Sequence, residues 1–157
     1  MENNIYKYLS QNFMEKEFAC KCGCGKKGPI DPELIRLLQS LRNKLNKPIH
    51  VLEGVRCKKY NKEINGFIDS PHLKGKAADI YVSGMDIITL AKTAKKIGFN
   101  RIGLYPYNNF IHVDTVIPYP SEAWVRTGLK SKDWVYHYFK TLEEAIKYIK
   151  KGDDKNA

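Results

Sequence analysis

"NNFIHVDTV", Asn108–Val116, alternates apolar and polar side chains. In an extended strand successive residues leave on opposite faces, so Ile111, Val113 and Thr115 go one way while Phe110, His112 and Asp114 go the other. The first set suits a core. The second places an imidazole beside a carboxylate, which a dry core would not accept without partners. Upstream, "SPHLKGKAADIYV", Ser70–Val82, shows the same division after a turn. Asp79–Val82 reads as a strand with Ile80 and Val82 on one side and Asp79 with Tyr81 on the other. Two such strands predict a sheet with one face packed against helices and one turned toward a cleft.

The helices that would cover it flank these strands. Asp31–Pro32 reads as an N-cap with proline at the first helical position. "PELIRLLQSLRNKLN" follows, with Leu34, Leu37, Leu38, Leu41 and Leu45 at helical spacing before Pro48. Met85–Ile97 predicts a second helix stopped by Gly98, and "TLEEAIKYIK" a C-terminal one ahead of the polar end "KGDDKNA". "IHVLEGV" reads as a strand leading into "RCKKYNKEINGF", a short helix or loop closed by Asn65–Gly66. "RIGLYPY" and "NNFIHVDTV" pair around Asn108–Asn109, and alternation around Trp134, Tyr136, His137 and Tyr138 suits one more strand. "NNIYKYLSQNFMEKEF" is an irregular or weakly helical lead-in. Helices before and after short strands predict an α+β fold, a small antiparallel sheet with helices packed on one side.

At 157 residues the chain is expected to be one domain, 1–157, and a monomer. No uncharged apolar run reaches about 18 residues, so no membrane span is expected. "MENNIYKYLSQNF" lacks the apolar segment of a signal peptide. The formal charge of +10 favours an anionic partner such as nucleic acid, a membrane surface or an acidic wall polymer. No nucleic-acid-binding signature accompanies that charge, so nucleic acid is set aside. Cys20, Cys22 and Cys24 alternate more tightly than zinc-binding CxxC pairs, and Cys57 stands alone. Free thiols, a disulfide from Cys57 to the cluster, and a small metal site all stay open.

His72, Asp79 and His112 would give a metal two imidazoles and one carboxylate, the three-ligand pattern of hydrolytic zinc with an open fourth position. Spacing alone leaves them equally readable as surface polar groups. The surrounding pattern is more specific. Ser70, His72, Gly75, Ala77 and Asp79, then His112 within "FIHVD", resemble the zinc peptidase family of D-alanyl-D-alanine carboxypeptidases and L-alanyl-D-glutamate endopeptidases. Its fold is shared with the amino-terminal domain of hedgehog proteins. "GVRCKKYN" matches at Gly54, Arg56, Cys57 and Asn61, and "FACKCGCG" is similar to the start of smaller phage and bacterial members. The likeness runs from about Phe18 to Val116, leaving 117–157 as a C-terminal extension.

The resemblance implies that His72, Asp79 and His112 bind Zn2+, and that Arg56 contacts a substrate carboxylate, for which a guanidinium can supply two parallel hydrogen bonds. It implies that Ser70 bonds substrate or braces the His72 loop. Many relatives carry an acid a few positions before the last histidine, where this chain has Asn109. Asp114 is therefore expected as the general base or as an orienting group, with Glu53 as the other candidate. The implied function is hydrolysis of peptidoglycan stem peptides by metal-activated water, either as a carboxypeptidase releasing D-alanine or as an endopeptidase of the phage-lysin kind. Charge would hold the protein to anionic wall polymers, and synthesis in the cytoplasm would precede action on the wall after lysis or export. The Asn109 departure leaves a catalytically silent, zinc-containing wall-binding module as the alternative.

Overall fold

The computed structural model describes residues 7–117 and 119–155. Residues 3–6 of the expected lead-in lie outside them. Among the described residues six strands form one sheet in the order β1-β2-β4-β3-β5-β6: β1 (His50–Glu53), β2 (Ala77–Tyr81), β3 (Arg101–Tyr105), β4 (Phe110–Asp114), β5 (Ala123–Thr127) and β6 (Val135–Phe139). Four α-helices accompany it: α1 (Pro32–Leu45), α2 (Lys58–Glu63), α3 (Ile87–Ile97) and α4 (Leu142–Lys155). This is the expected α+β class, with one departure in the sheet. β3 and β5 run parallel, Ile102 opposite Ala123, because the chain leaving β4 steps past the end of β3 before β5 begins.

Local chemistry sets the element ends. The Asp31 carboxylate accepts from the Glu33 amide at the start of α1, while Asn46, at φ 49°, turns the chain out of it. Asp86 caps α3 by accepting from both the amide and the hydroxyl of Thr89. The helix therefore starts at Ile87, two residues later than its apolar pattern suggested. β2 begins two residues earlier than expected because Ala77 and Ala78 already pair with Asp114 and Val113 of β4. α4 continues to Lys155, taking in residues expected to form a polar tail.

The alternation divides the sheet into two environments. Ala78 and Ile80 of β2, Ile102 and Leu104 of β3, Ile111 and Val113 of β4, and Ala123 and Val125 of β5 all enter one apolar core. There they meet Leu34, Leu38 and Leu41 of α1, Leu90, Ala91 and Ala94 of α3, and Leu142, Ala145 and Ile146 of α4. Burying each such leucine contributes about 1.5–3 kcal/mol. β5, β6 and α4 thus share the sheet and core of the preceding residues. The lead-in adds Phe13 and Phe18. Among the described residues no helix is long and apolar enough to cross a membrane.

One close approach ties the lead-in to the residues that follow β1. The Val55 amide donates to the Phe18 carbonyl, and a Cβ on Gly54 would lie 2.7 Å from the Phe18 Cα. Gly54→Ala is expected to cost about 1–3 kcal/mol, because backbone rather than a flexible side chain must move. A Cβ on Gly152, inside α4, meets no atom within 4 Å. Gly152→Ala should instead stabilise by about 0.5–1 kcal/mol through helix propensity. Denaturant unfolding of the two variants checks this, and equal effects would contradict the close approach.

Candidate metal centre and cleft

The face of the sheet opposite the helices carries the polar half of each alternation. β2 and β4 pair in a register that sets Asp79 directly across from His112. β1 and β2 pair so that Glu53 stands across from Asp79 on its other side. Three strands therefore bring Glu53, Asp79 and His112 into one row. His72 arrives from a short 3-10 turn, Pro71–Lys74, that ends at Gly75. Gly75 has φ 65°, and a Cβ there would lie 1.8 Å from the Pro29 carbonyl oxygen, so only glycine lets this loop close against residues 29–31.

His72, Asp79 and His112 are all buried, and each offers a ligand atom within 4.8 Å of the others. His72 Nδ1 lies 2.7 Å from the Gly54 carbonyl oxygen. A carbonyl only accepts, so Nδ1 carries the hydrogen and Nε2 presents its lone pair in the neutral ring. That Nε2 is buried with no hydrogen-bond partner, 3.3 Å from Asp79 Oδ1. Two electron-rich atoms so close require a positive charge between them or on the ring. The donor set, two nitrogens and one carboxylate oxygen, suits zinc.

His112 is held from both sides. Its Nε2 donates to Asp114 Oδ2 at 2.8 Å, and its Nδ1 lies 3.0 Å from Asp79 Oδ1. Burial opposes the charged ring, but the hydrogen bonds and charges of Asp114 and Asp79 outweigh it and push His112 up to about 9. Burial alone would likewise raise Asp79, yet the charge of His72 and the hydrogen bond and charge of His112 hold it well below the usual carboxylate range. The charged ring therefore carries a proton on Nδ1, directed at Asp79.

Asp114 is fully engaged. Its Oδ1 accepts from the Val116 amide at 3.0 Å, its Oδ2 from His112, and Arg101 Nη1 stands 3.5 Å from the same oxygen. Its side chain has no exposed surface. Glu53 differs: Oε2 accepts from Arg56 Nη2 at 2.6 Å, while Oε1 is buried with no partner. Arg56 Nη1 also reaches Asn61 Oδ1 at 3.0 Å and Ser70 Oγ at 3.3 Å. Ser70 thus touches Arg56, and it does not cap the turn that follows with its side chain.

These groups line a cleft of about 840 Å³. Glu53, Arg56, Ser70, His72, Asp79 and His112 all face it, whereas Asp114 lies behind His112 and outside the lining. Tyr105, Phe110 and Trp124 also line the cleft, since their strands turn them away from the helices. Tyr107 is exposed and stands apart. His137 points to the helix side, where it lies 3.2 Å from the Thr127 hydroxyl and 3.1 Å from that of Tyr148. Sequence reasoning did not single out Arg101 or Arg126. Arg126 lies over the Tyr105 and Trp134 rings, at 4.5 and 3.9 Å, and donates to Asn108. The available signal was the alternation of "AWVRT", which sends Trp124 and Arg126 opposite to Ala123 and Val125.

This chain is similar to known peptidoglycan peptidases. Peptidoglycan L,D-endopeptidase MepK of Escherichia coli K12 is 32% identical over 102 residues, which cover 60% of this chain and 54% of the relative. The probable peptidoglycan L,D-endopeptidase MepK of Haemophilus influenzae is 33% identical over 94 residues, covering 55% and 50% respectively. This chain therefore spans about half the length of the curated relatives it matches. The Peptidase M15 family profile matches residues 11–114, a stretch that contains the convergent His72, Asp79 and His112. On that match, which takes in well over half of its length, the chain belongs to the peptidase M15 family.

Proposed function

We propose that this protein is a zinc-dependent peptidoglycan peptidase that cuts an L–D bond within stem peptides. The observation that carries the reading is the unpartnered Nε2 of buried His72 facing Asp79 and His112 at the floor of the cleft. His72, Asp79 and His112 would hold the ion, which would supply Lewis acidity for the scissile carbonyl and for a water. The names of the relatives support peptidoglycan and an internal bond as the substrate.

In this reading Glu53 accepts the proton of the attacking water and delivers it to the leaving amine. It shares the Asp79 face, opens to the cleft and keeps one oxygen uncommitted. Asp114 positions His112, since both its oxygens are occupied and it lies behind the ring. It fixes the tautomer that leaves Nδ1 free for a ligand. Arg56, oriented by Glu53, Asn61 and Ser70, presents its guanidinium to a stem-peptide carboxylate. The net charge of +10 supports retention on anionic wall polymers.

Digestion of purified peptidoglycan by the zinc-loaded protein, with products identified by mass spectrometry, tests the function. New internal amino termini at an L–D junction are expected. Release of D-alanine alone would replace the endopeptidase by a carboxypeptidase, and no cleavage by fully loaded protein would reject both. Glu53→Gln should keep zinc and lower kcat by about 10²–10⁴-fold, while Asp114→Asn should weaken zinc affinity by about 10–100-fold. Equal zinc affinity in the Asp114 variant would contradict its positioning role.

The proton on His112 gives a separate prediction. Below about pH 9 the metal-free ring is charged, so zinc must displace a proton and apparent affinity should rise with pH, roughly tenfold per unit, levelling above that value. Titration calorimetry in buffers of different ionisation enthalpy should find proton release near pH 7.5. No release there would contradict the assignment of Nδ1.

A further inference from the structure

The second cluster of metal-ligating side chains lies outside the cleft. Cys20, Cys22, Cys24 and Cys57 bring their Sγ atoms within 4.8 Å of one another, although Cys57 is separated from Cys22 by 35 positions. Cys20 and Cys22 Sγ stand 3.4 Å apart, and Cys22 and Cys57 Sγ 3.7 Å. Both distances far exceed a disulfide bond of about 2.05 Å. They are close to the edge of a sulfur tetrahedron around zinc, which at a Zn–S length of about 2.3 Å is about 3.8 Å. All four cysteines are free.

The surrounding backbone is arranged for sulfur acceptors. The Cys57 amide donates to Cys20 Sγ at 3.4 Å, and the Tyr60 amide, in the first turn of α2, donates to Cys57 Sγ at 3.3 Å. Such donors favour thiolate over thiol. The loop also folds back on itself, with the Cys20 amide donating to the Lys26 carbonyl. An apolar contact would not need this arrangement, and Cys22 and Cys24 are exposed rather than packed.

From this geometry we propose that Cys20, Cys22, Cys24 and Cys57 form a tetrathiolate site for a structural zinc ion, distinct from the cleft and independent of the peptidase reading. The thiols bind as thiolates, their protons passing to solvent. With four protein ligands the site is closed, and so structural rather than catalytic. Its consequence lies in what it joins. Cys57 follows Arg56 directly, and the Arg56 amide donates to the His72 carbonyl. Gly54, whose carbonyl receives His72 Nδ1, is packed on Phe18 two residues before Cys20. The ion would clamp the Cys20–Cys24 loop to the segment that orients Arg56 and His72.

Metal content of the full chain, purified without chelators, tests the proposal. The wild type should carry two zinc ions, the Cys22→Ser/Cys24→Ser variant one, and His72→Ala one. Because a variant could fail to fold, cobalt substitution of the wild type supplies a second readout. Intense sulfur-to-cobalt charge transfer with tetrahedral ligand-field bands is expected, and it should persist in His72→Ala. Zinc content unchanged by the double cysteine substitution would overturn the proposal. So would four thiols reacting freely with an aromatic disulfide in the metal-saturated wild type.

Discussion

A carboxylate taken out of water must be compensated, and Asp79 is buried between two imidazoles that are buried with it. The local architecture answers to that requirement. His112 has to lie directly across the strand pair, which fixes the register of β2 on β4. His72 has to come from outside the sheet, which needs the Gly75 turn and the Gly54 carbonyl that orients its ring. Asp114 and Arg101 then balance the far side of His112. A positive charge, on a proton or on a metal, completes the set.

That requirement is met without disturbing folding because the sheet keeps its two faces apart. The same strands that supply Asp79 and His112 send Ile80, Ile111 and Val113 into the core with α1 and α3. A slip of one residue in β4 would exchange these sets, burying the imidazole under the helices and opening valine to the cleft. The stability of the core and the geometry of the site are therefore enforced by one pattern. The aromatic lining of the cleft follows from it as well, since Tyr105, Trp124 and Arg126 are the outward partners of core residues Leu104, Ala123 and Val125.

Alternation made "NNFIHVDTV" legible as a strand with a chemical face, and capping residues made α1 legible nearly to its ends. Those signals are local. The pairing of β5 beside β3, and parallel to it, depends on how the chain passes the end of a hairpin, and nothing in "AWVRT" encodes that neighbour. The fates of Asp114 and Glu53 were not separable by spacing either. Both are acids on the right face, but one is closed off by its near neighbour Val116 and by Arg101 from the adjacent strand β3, and the other is left half-satisfied. The cysteines were ambiguous for the same reason, as the long interval before Cys57 hid a tertiary contact. Long-range partners, rather than residue identities, carried the missing information.

The central claim is that His72, Asp79 and His112 hold one zinc ion at the floor of the cleft. The most direct measurement is an anomalous-difference map from crystals of the zinc-loaded protein, with data on both sides of the zinc absorption edge. The account predicts a peak bonded to His72 Nε2, His112 Nδ1 and an Asp79 carboxylate oxygen, with Asp114 still accepting from His112 Nε2. A fully loaded crystal with no peak at these three residues, and His72 Nε2 instead hydrogen-bonded to protein, would contradict it.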